Sequence, residues 1–345
     1  MNVRVFFSDE IAAISYICTM EISEHVFNIT SSEEFDRCCL EVFAYQAAEN
    51  PIYRQYLKFL GVRQSAVTRY QDIPFLPIEL FKSQRMICRN MRPEITFTSS
   101  GTTGSTTSQH PVADIAWYKR SFRQAFDQFY GPVEDLAILA LLPSYLERSG
   151  SSLIYMVDDL IARSGHAESG YFLYNHQDLF ERIAQLKQRN VKTVLFGVTY
   201  ALLDFLESYT VDAPDLIVME TGGMKGKRKE MIREELHRIL CHGFGVDSIH
   251  SEYGMTELLS QAYSQGNGRF QTPSWMKVLI RDTNDPLTLL PEHRTGAINV
   301  IDLANYHSCS FIATQDLGRQ HEQEQFEVLG RFDHSDIRGC NLLVQ

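Results

Sequence analysis

Apolar residues recur at helical spacing through FDRCCLEVFAYQAA (35–48), directly after Ser31 and Glu34, a pair that reads as a capping box. Asn50-Pro51 restarts a helix with Pro51 at its first position, and Gly61 predicts its stop. The segment DIPFLPIELF (72–81) is apolar, but Pro74 and Pro77 exclude a regular helix and disfavour a central strand. From residue 95 the pattern changes. EITFTSS predicts a strand running into a loop, and DIAWYKRSFRQAFDQFY (114–130) a helix. LAILALLPS (136–144) and VKTVLFGV (191–198) predict buried strands, with helices over 153–165 and 176–190 between them. A helix over ALLDFLESY follows, then a strand over DLIVMETGG (215–223) ending in a glycine turn, then a long helix over KGKRKEMIREELHRILCHGFG. After about residue 265 the texture is β-rich: SWMKVLIRD, AINVIDL, CSFIATQDLG and QFEVLGRF.

Strands alternating with helices of this length predict an α/β fold, with parallel sheet layers, flanking helices and a β-rich C-terminal subdomain. The expected organisation is a helical N-terminal region over 1–90, an α/β core over 91–265 and a β-rich subdomain over 266–345.

Composition narrows this picture only in part. The chain has 345 residues, 44% hydrophobic and 22% charged, with 32 Lys+Arg against 43 Asp+Glu and a formal charge of −11. That is globular composition, and the acidic balance argues against a nucleic-acid partner, which needs a basic face. The seven cysteines are scattered with no CxxC pair, which argues against a disulfide scaffold or a zinc ribbon and for a reducing compartment. The N-terminus carries Asp9 and Glu10 ahead of its apolar stretch, unlike a signal peptide, and no window has the length of a membrane span. The expectation is a cytoplasmic protein.

Candidate chemistry sits in four places. Thr98, Ser99, Ser100, Gly101, Thr102, Thr103 and Gly104 open a loop, 99–109, with eight Ser/Thr and two Gly among its eleven residues. Glycines let backbone N–H groups approach phosphate oxygens, and hydroxyls add donors. Taken alone the run reads more readily as a polar surface loop; its place after a strand and before a helix brings phosphate binding level with that reading, and it has no lysine of the Walker type. In Ser251-Glu252-Tyr253-Gly254-Met255-Thr256-Glu257, Glu257 can hold Mg²⁺, Thr256 can donate to a phosphate and Tyr253 can stack on a base; the bland reading is a turn opening a helix capped by Thr256. Thr314-Gln315-Asp316-Leu317-Gly318 offers an Asp just past a strand, able to accept both hydroxyls of a ribose, or an ordinary turn Asp. Gly330-Arg331-Phe332-Asp333 offers a fixed cation in Arg331. His250 and His307 lie near these motifs in sequence and can serve as bases, but a satisfied structural histidine is the commoner outcome. The aromatic stripe after Trp117 reads as core.

In this order and spacing the four motifs resemble the adenylate-forming superfamily of acyl-CoA synthetases, luciferases and peptide-synthetase adenylation domains, whose pattern is TSGTTG, YGxTE, TGD and GRxxD. The match extends over roughly residues 95–339, with Gln315 where the superfamily usually has Gly. DIPFLPIELFK (72–82), ETGGMKG (220–226) and the terminal GRFDHSDIRGCNLL further resemble the LuxE-type acyl-protein synthetases of bacterial bioluminescence. The resemblance implies ATP and Mg²⁺ as cofactors. Residues 98–104 would wrap the phosphates, and Gly222, Gly223 and Met224 would line the adenine. Tyr253 and Gly254 would belong to the nucleotide site, with Glu257 on the metal. Asp316 would hold the ribose with Arg331 beside it, so that the β-rich subdomain completes the AMP site.

Most of the superfamily continues well past GRxxD into a domain that supplies a lysine for adenylation, whereas this sequence reaches Gln345 six residues after Gly339. Charge building at an α-phosphate needs a cation. Lys225 or Lys227 is the candidate substitute, against the reading of KGKRK as a solvated helix start. The LuxE-type resemblance implies an acyl group carried on a C-terminal cysteine, which places Cys340 in RGCNLL as nucleophile beside Arg338, against the reading of a small apolar residue on a final strand. The expected activity is ATP-dependent conversion of a carboxylic acid, a fatty acid by preference, to acyl-AMP. Transfer to a protein thiol would follow, with a reductase or carrier protein as possible acyl-acceptor partner. The alternatives are coenzyme A or a carrier-protein arm as external acceptor, and a non-catalytic acyl-adenylate-binding subunit. Phe196, Gly197, Tyr200 and Leu258 are candidate acyl-pocket residues by their position beside the nucleotide motifs.

Overall fold

The computed structural model describes residues 25–99, 106–143, 150–222 and 231–331. Near the start of this span, helix α1 (Ser32–Glu49) begins where the capping residues predict. Ser31 Oγ accepts from the Glu34 N–H at 3.2 Å. The Glu34 carboxylate closes the cap one residue earlier than the usual box, accepting from the Thr30 N–H at 2.8 Å and the Thr30 hydroxyl at 2.9 Å. Helix α2 (Pro51–Phe59) is capped by Asn50, whose side chain accepts from the N–H groups of Ile52 and Tyr53. Its chain turns away at Gly61, φ +68°. The proline-punctuated segment then forms only a two-residue strand, β1 (Leu76–Pro77), and one helical turn, α3 (Leu80–Ser83).

Strands β2 (Ile95–Thr98) and β3 (Gln109–Val112) precede and follow the Ser/Thr/Gly segment in sequence. Helix α4 (Ile115–Tyr130) buries Tyr118, Phe122, Ala125 and Phe126 along one stripe, which makes the aromatic run core, as its spacing predicts. The chain then alternates through β4 (Ala137–Leu141), α5 (Ser152–Ser164), β5 (Gly170–Tyr171), α6 (His176–Gln188), β6 (Thr193–Val198), α7 (Thr199–Leu206) and β7 (Ile217–Thr221). Helix α8 (Arg233–Phe244) is shorter than its sequence suggests: Ile232 is extended, φ −68° and ψ 148°, so no continuous helix runs back into the basic KGKRK run. Strands β8 (His250–Tyr253), β9 (Ala262–Ser264) and β10 (Phe270–Gln271) follow. The last described part is all strand: β11 (Met276–Arg281), β12 (Thr295–Asp302), β13 (Phe311–Gln320) and β14 (Phe326–Arg331).

The chain divides into two compact units. The first joins residues up to 95, 108–115 and 274 onward. Its sheet is antiparallel through β11, β12, β13 and β14, and β1 pairs in parallel with β13. Helix α1 holds the loop before β13 through Gln46, which is fully buried: its Nε2 donates to Tyr306 O at 2.9 Å and Ser310 Oγ at 3.1 Å, and its Oε1 accepts from the Ser310 N–H. The second unit comprises 96–107 and 116–273. Its strands run parallel in the order β5-β4-β6-β7-β8, and β9 and β10 continue the sheet antiparallel. β4 is buried at every residue, and so is β6, as strands of a sheet covered on both faces must be. The α/β class with a β-rich C-terminal part holds. Among the described residues no helix is long and apolar enough to cross a membrane.

Candidate functional site

In the second unit, β6, β7 and β8 end side by side, and open parallel sheets bind ligands at such C-terminal ends. Two carboxylates that sequence reasoning missed sit there. Glu220, 8% exposed, accepts from Thr199 Oγ1 at 2.6 Å and Ser251 Oγ at 3.2 Å, with Arg233 Nη1 at 3.7 Å and His237 Nε2 at 3.8 Å. Burial opposes its ionisation, but His237, Arg233 and Thr199 outweigh burial and hold the carboxyl below its ordinary value. No such cation pairs with Glu252 among the described residues. Burial raises its pKa to about 7, against the hydroxyl of Thr221, which donates at 2.7 Å, and with the charge of Glu220 adding to the rise. A signal was present in the sequence: METGG and HSEYG each place a Glu next to last in a strand of the parallel sheet.

Because ionising Glu252 inside the fold is costly, the unfolded state releases this proton first as pH rises from the ordinary carboxyl value toward 7. Stability therefore falls across that window and stays reduced above it. Glu252→Gln keeps an acceptor for Thr221 and removes the charge, so it should exceed the wild type at pH 8 by about 3 kcal/mol while matching it near pH 4. Denaturant unfolding at the two pH values measures this; parallel pH dependences for the two proteins would refute it.

Strand β8 ends at Tyr253 and the chain turns, so Thr256 caps no helix. Leu258 N–H donates to Met255 O at 3.1 Å and closes the turn. A Cβ on Gly254 would displace the Glu252 carboxylate and reach within 3.2 Å of Gln261 Cγ. Tyr253 is 8% exposed, with its ring edge-to-face on Phe270 at 6.0 Å. Glu257 is only 6% exposed. A carboxylate that deep needs a cation or donors, and an oxygen ligand of this kind suits Mg²⁺. Gly222 closes β7 with φ +81°, the left-handed turn its sequence predicts. Of the Ser/Thr/Gly loop, Thr98 and Ser99 are described; the Thr98 N–H donates to Gly150 O at 2.8 Å. Ser100, Gly101, Thr102, Thr103, Gly104, Gly223, Met224, Lys225, Lys227, Arg338 and Cys340 lie outside the described residues.

In the first unit, Asp316 lies within β13 and not past its end, as TQDLG suggested. It is the direct cross-strand partner of Arg331 on β14, and Arg331 Nε stands 3.3 Å from Asp316 Oδ1. The Asp is 9% exposed, while the Arg side chain is 74% exposed. The Asp316 N–H donates to Thr314 Oγ1 at 3.2 Å. Beneath it lies Arg281, also missed from sequence. This 7% exposed cation donates to Ile298 O at 2.6 Å, Asn299 Oδ1 at 2.8 Å and Thr314 O at 2.6 Å. Gln315, the departure from TGD, donates to Glu79 Oε1 at 2.6 Å and so ties this strand to the chain just after β1.

The two histidines are structural in character. Burial pushes His250 down to about 4, with Tyr130 Oη 3.3 Å from its Nδ1, and His307 likewise to about 4, with Tyr45 Oη at 3.4 Å. Of the pocket candidates, Phe196 is fully buried and stacks on Phe126 at 6.1 Å, and a Cβ on Gly197 would collide with Leu202. Tyr200 and Leu258 are 7% and 1% exposed.

This architecture is the fold of adenylate-forming ligases. An ATP-bound chimera of RpMatB and BxBclM matches with a TM-score of 0.52 and 19% identity, over 68% of this chain and 47% of that one. ATP-bound MatB from Rhodopseudomonas palustris matches at 0.51 and 18%, over the same shares. A 2-hydroxyisobutyryl-CoA ligase in the postadenylation state with 2-HIB-AMP matches at 0.62 and 11%, over 88% of this chain and 69% of that one. The chain thus spans about half the length of the ATP-bound structures (47%). No family model matches the sequence, and no curated protein matches it.

Proposed function

We propose that the protein is an ATP-dependent acid–thiol ligase that activates a carboxylic acid as acyl-AMP. One observation carries the reading: SEYGMTE closes a strand at the C-terminal end of a parallel sheet, in a fold shared with a ligase solved with its acyl adenylate. A carboxylate oxygen of the acid attacks the α-phosphorus of ATP. The bond to the β-phosphate oxygen breaks, and pyrophosphate leaves with that electron pair. Thr98 to Gly104 offer donors to the phosphates, Gly222, Gly223 and Met224 take the adenine, and Tyr253 and Gly254 shape its surroundings. Asp316 accepts from the ribose hydroxyls while Arg331 supplies positive charge. Thr256 donates to a phosphate, and Glu257 would hold Mg²⁺, which offsets phosphate charge when bound. Lys225 supplies a cation for the charge that builds at the α-phosphate.

In the second step a thiolate attacks the acyl carbon and AMP leaves. We assign this thiolate to Cys340 and the acid to the fatty acids, with an acyl-accepting protein as final partner. The five described cysteines support the first assignment by their unsuitability, since burial raises the pKa of Cys38, Cys39, Cys88, Cys241 and Cys309. The second reading, coenzyme A as acceptor, is favoured by a neighbour, the 2-hydroxyisobutyryl-CoA ligase solved with 2-HIB-AMP and CoA.

Intact-protein mass after incubation with MgATP and a ladder of fatty acids separates these readings. A gain of one acyl chain, lost with hydroxylamine and absent in Cys340→Ser, is the expected result. Pyrophosphate release without mass gain would move the acceptor to coenzyme A or a carrier protein. Nucleotide binding with no release for aliphatic or aromatic acids would leave a binding subunit.

A further inference from the structure

Two turns of the antiparallel sheet carry a donor set unrelated to any of the nucleotide motifs. The chain entering β12 presents His293, and the turn from β13 to β14 presents His321 and Glu322; one ligand atom from each lies within 4.8 Å of the others. His293 Nε2 stands 3.2 Å from Glu322 Oε1, and the two imidazole centroids are 5.5 Å apart at 67°. His321 is only 9% exposed, and its buried Nε2 makes no hydrogen bond. The Glu327 carboxylate is 3.2 Å from that nitrogen, without hydrogen-bond alignment. A buried imidazole nitrogen left in this condition is costly unless something else takes its lone pair. The turns are also held in unusual backbone: His293, Gln323 and Glu324 have φ of +64°, +58° and +59°.

We propose that His293, His321 and Glu322 bind a divalent transition metal ion of the zinc type. Two imidazole nitrogens and one carboxylate oxygen suit Zn²⁺ and disfavour Mg²⁺, which prefers oxygen donors. Donors about 2.1 Å from one tetrahedral ion stand about 3.4 Å apart, so the cluster needs a contraction of roughly an ångström. His321 is fixed by its backbone, its N–H donating to Gln325 O at 2.7 Å. The His293 and Glu322 side chains are 53% and 75% exposed and can close on it. Three protein ligands leave a fourth position for water. Glu327 adds negative charge beside His321, whereas Glu324 is engaged with Lys277 at 2.5 Å. The ion would pin the turn before β12 to the turn before β14.

The test uses the full chain, stripped with a chelator and kept in excess Mg²⁺ to occupy magnesium sites. Titration with zinc chloride by calorimetry should show one equivalent bound, and a cobalt(II) titration should give the visible absorption of a low-coordinate site. His293→Ala removes an exposed ligand and should leave the fold intact while weakening zinc at least tenfold. Zinc should raise the melting temperature of the wild type and not of the variant. No zinc equivalent in the wild type, or equal stoichiometry and affinity in His293→Ala, would overturn the assignment.

Discussion

Glu257→Gln should lower MgATP-dependent pyrophosphate release at least a hundredfold, with the melting temperature nearly unchanged. Gln keeps the volume and the acceptor of the Glu257 side chain and removes only its charge, at a position 6% exposed in the turn after β8. If that charge positions a magnesium ion on the phosphates, the loss falls on the step where negative charge builds. One preorganised electrostatic contact of this kind is typically worth about 10² to 10³ in rate. Asp316→Asn should behave differently, raising the KM for ATP more than it lowers kcat, because a ribose contact is made equally in ground and transition states. ATP–pyrophosphate exchange over a magnesium series reads both. Exchange in Glu257→Gln at the wild-type rate, with the same magnesium dependence, would remove Glu257 from the metal.

Arg281→Met should cost about 3 kcal/mol or more of stability, since charge-assisted hydrogen bonds are worth about 1.5–3 kcal/mol each and the stranded acceptors add their own penalty. The methionine fills much of the space, but the Thr314 carbonyl and Asn299 Oδ1 lose the buried guanidinium, while Ile298 O keeps only the Thr314 hydroxyl at 3.0 Å. Arg281→Lys should fall between the two, because an ammonium cannot reproduce the planar fork. The damage should extend to nucleotide affinity: Thr314, whose carbonyl Arg281 holds, also accepts the Asp316 N–H through its hydroxyl. Chemical unfolding of the three proteins measures the first effect and ATP binding the second. A midpoint for Arg281→Met equal to wild type would show that the buried cation contributes nothing net.

Local signals carried most of the fold. Ser31, Asn50 and Gly61 mark helix ends because caps and left-handed turns depend on one or two residues, and the buried strands β4 and β6 read as unbroken apolar runs. What failed depends on partners distant in sequence. Asp316 read as lying just past a strand, yet β13 continues to Gln320 through a register shift at Leu317/Gly318, where a Cβ on Gly318 would meet the Glu327 carbonyl. The helix drawn back to Lys225 missed that Ile232 is extended before Arg233. Arg281 and Lys277 lie in a strand whose every residue is buried, a burial that their charged side chains do not announce. Each of Glu220 and Glu252 could be placed near the end of its strand, but their pairing could not, because neighbouring parallel strands bring together residues about thirty positions apart.

The proline-punctuated segment before β2 has a consequence for the company this protein keeps in solution. Along one side of β13, β14 pairs with Asp316 to Gln320, and β1 lies against Ile312 and Ala313. Without β1, that upstream backbone would be an uncovered sheet margin in an apolar stretch, able to recruit a strand from another molecule. The cover is itself a poor template: it is two residues long, Pro77 has no N–H to offer, and Ile78 spends its N–H on Ala313 at 3.0 Å. Pro77, which looks like an interruption of a strand, thus helps to end the sheet beside the strand that carries Asp316 and leaves little there for another strand to pair with.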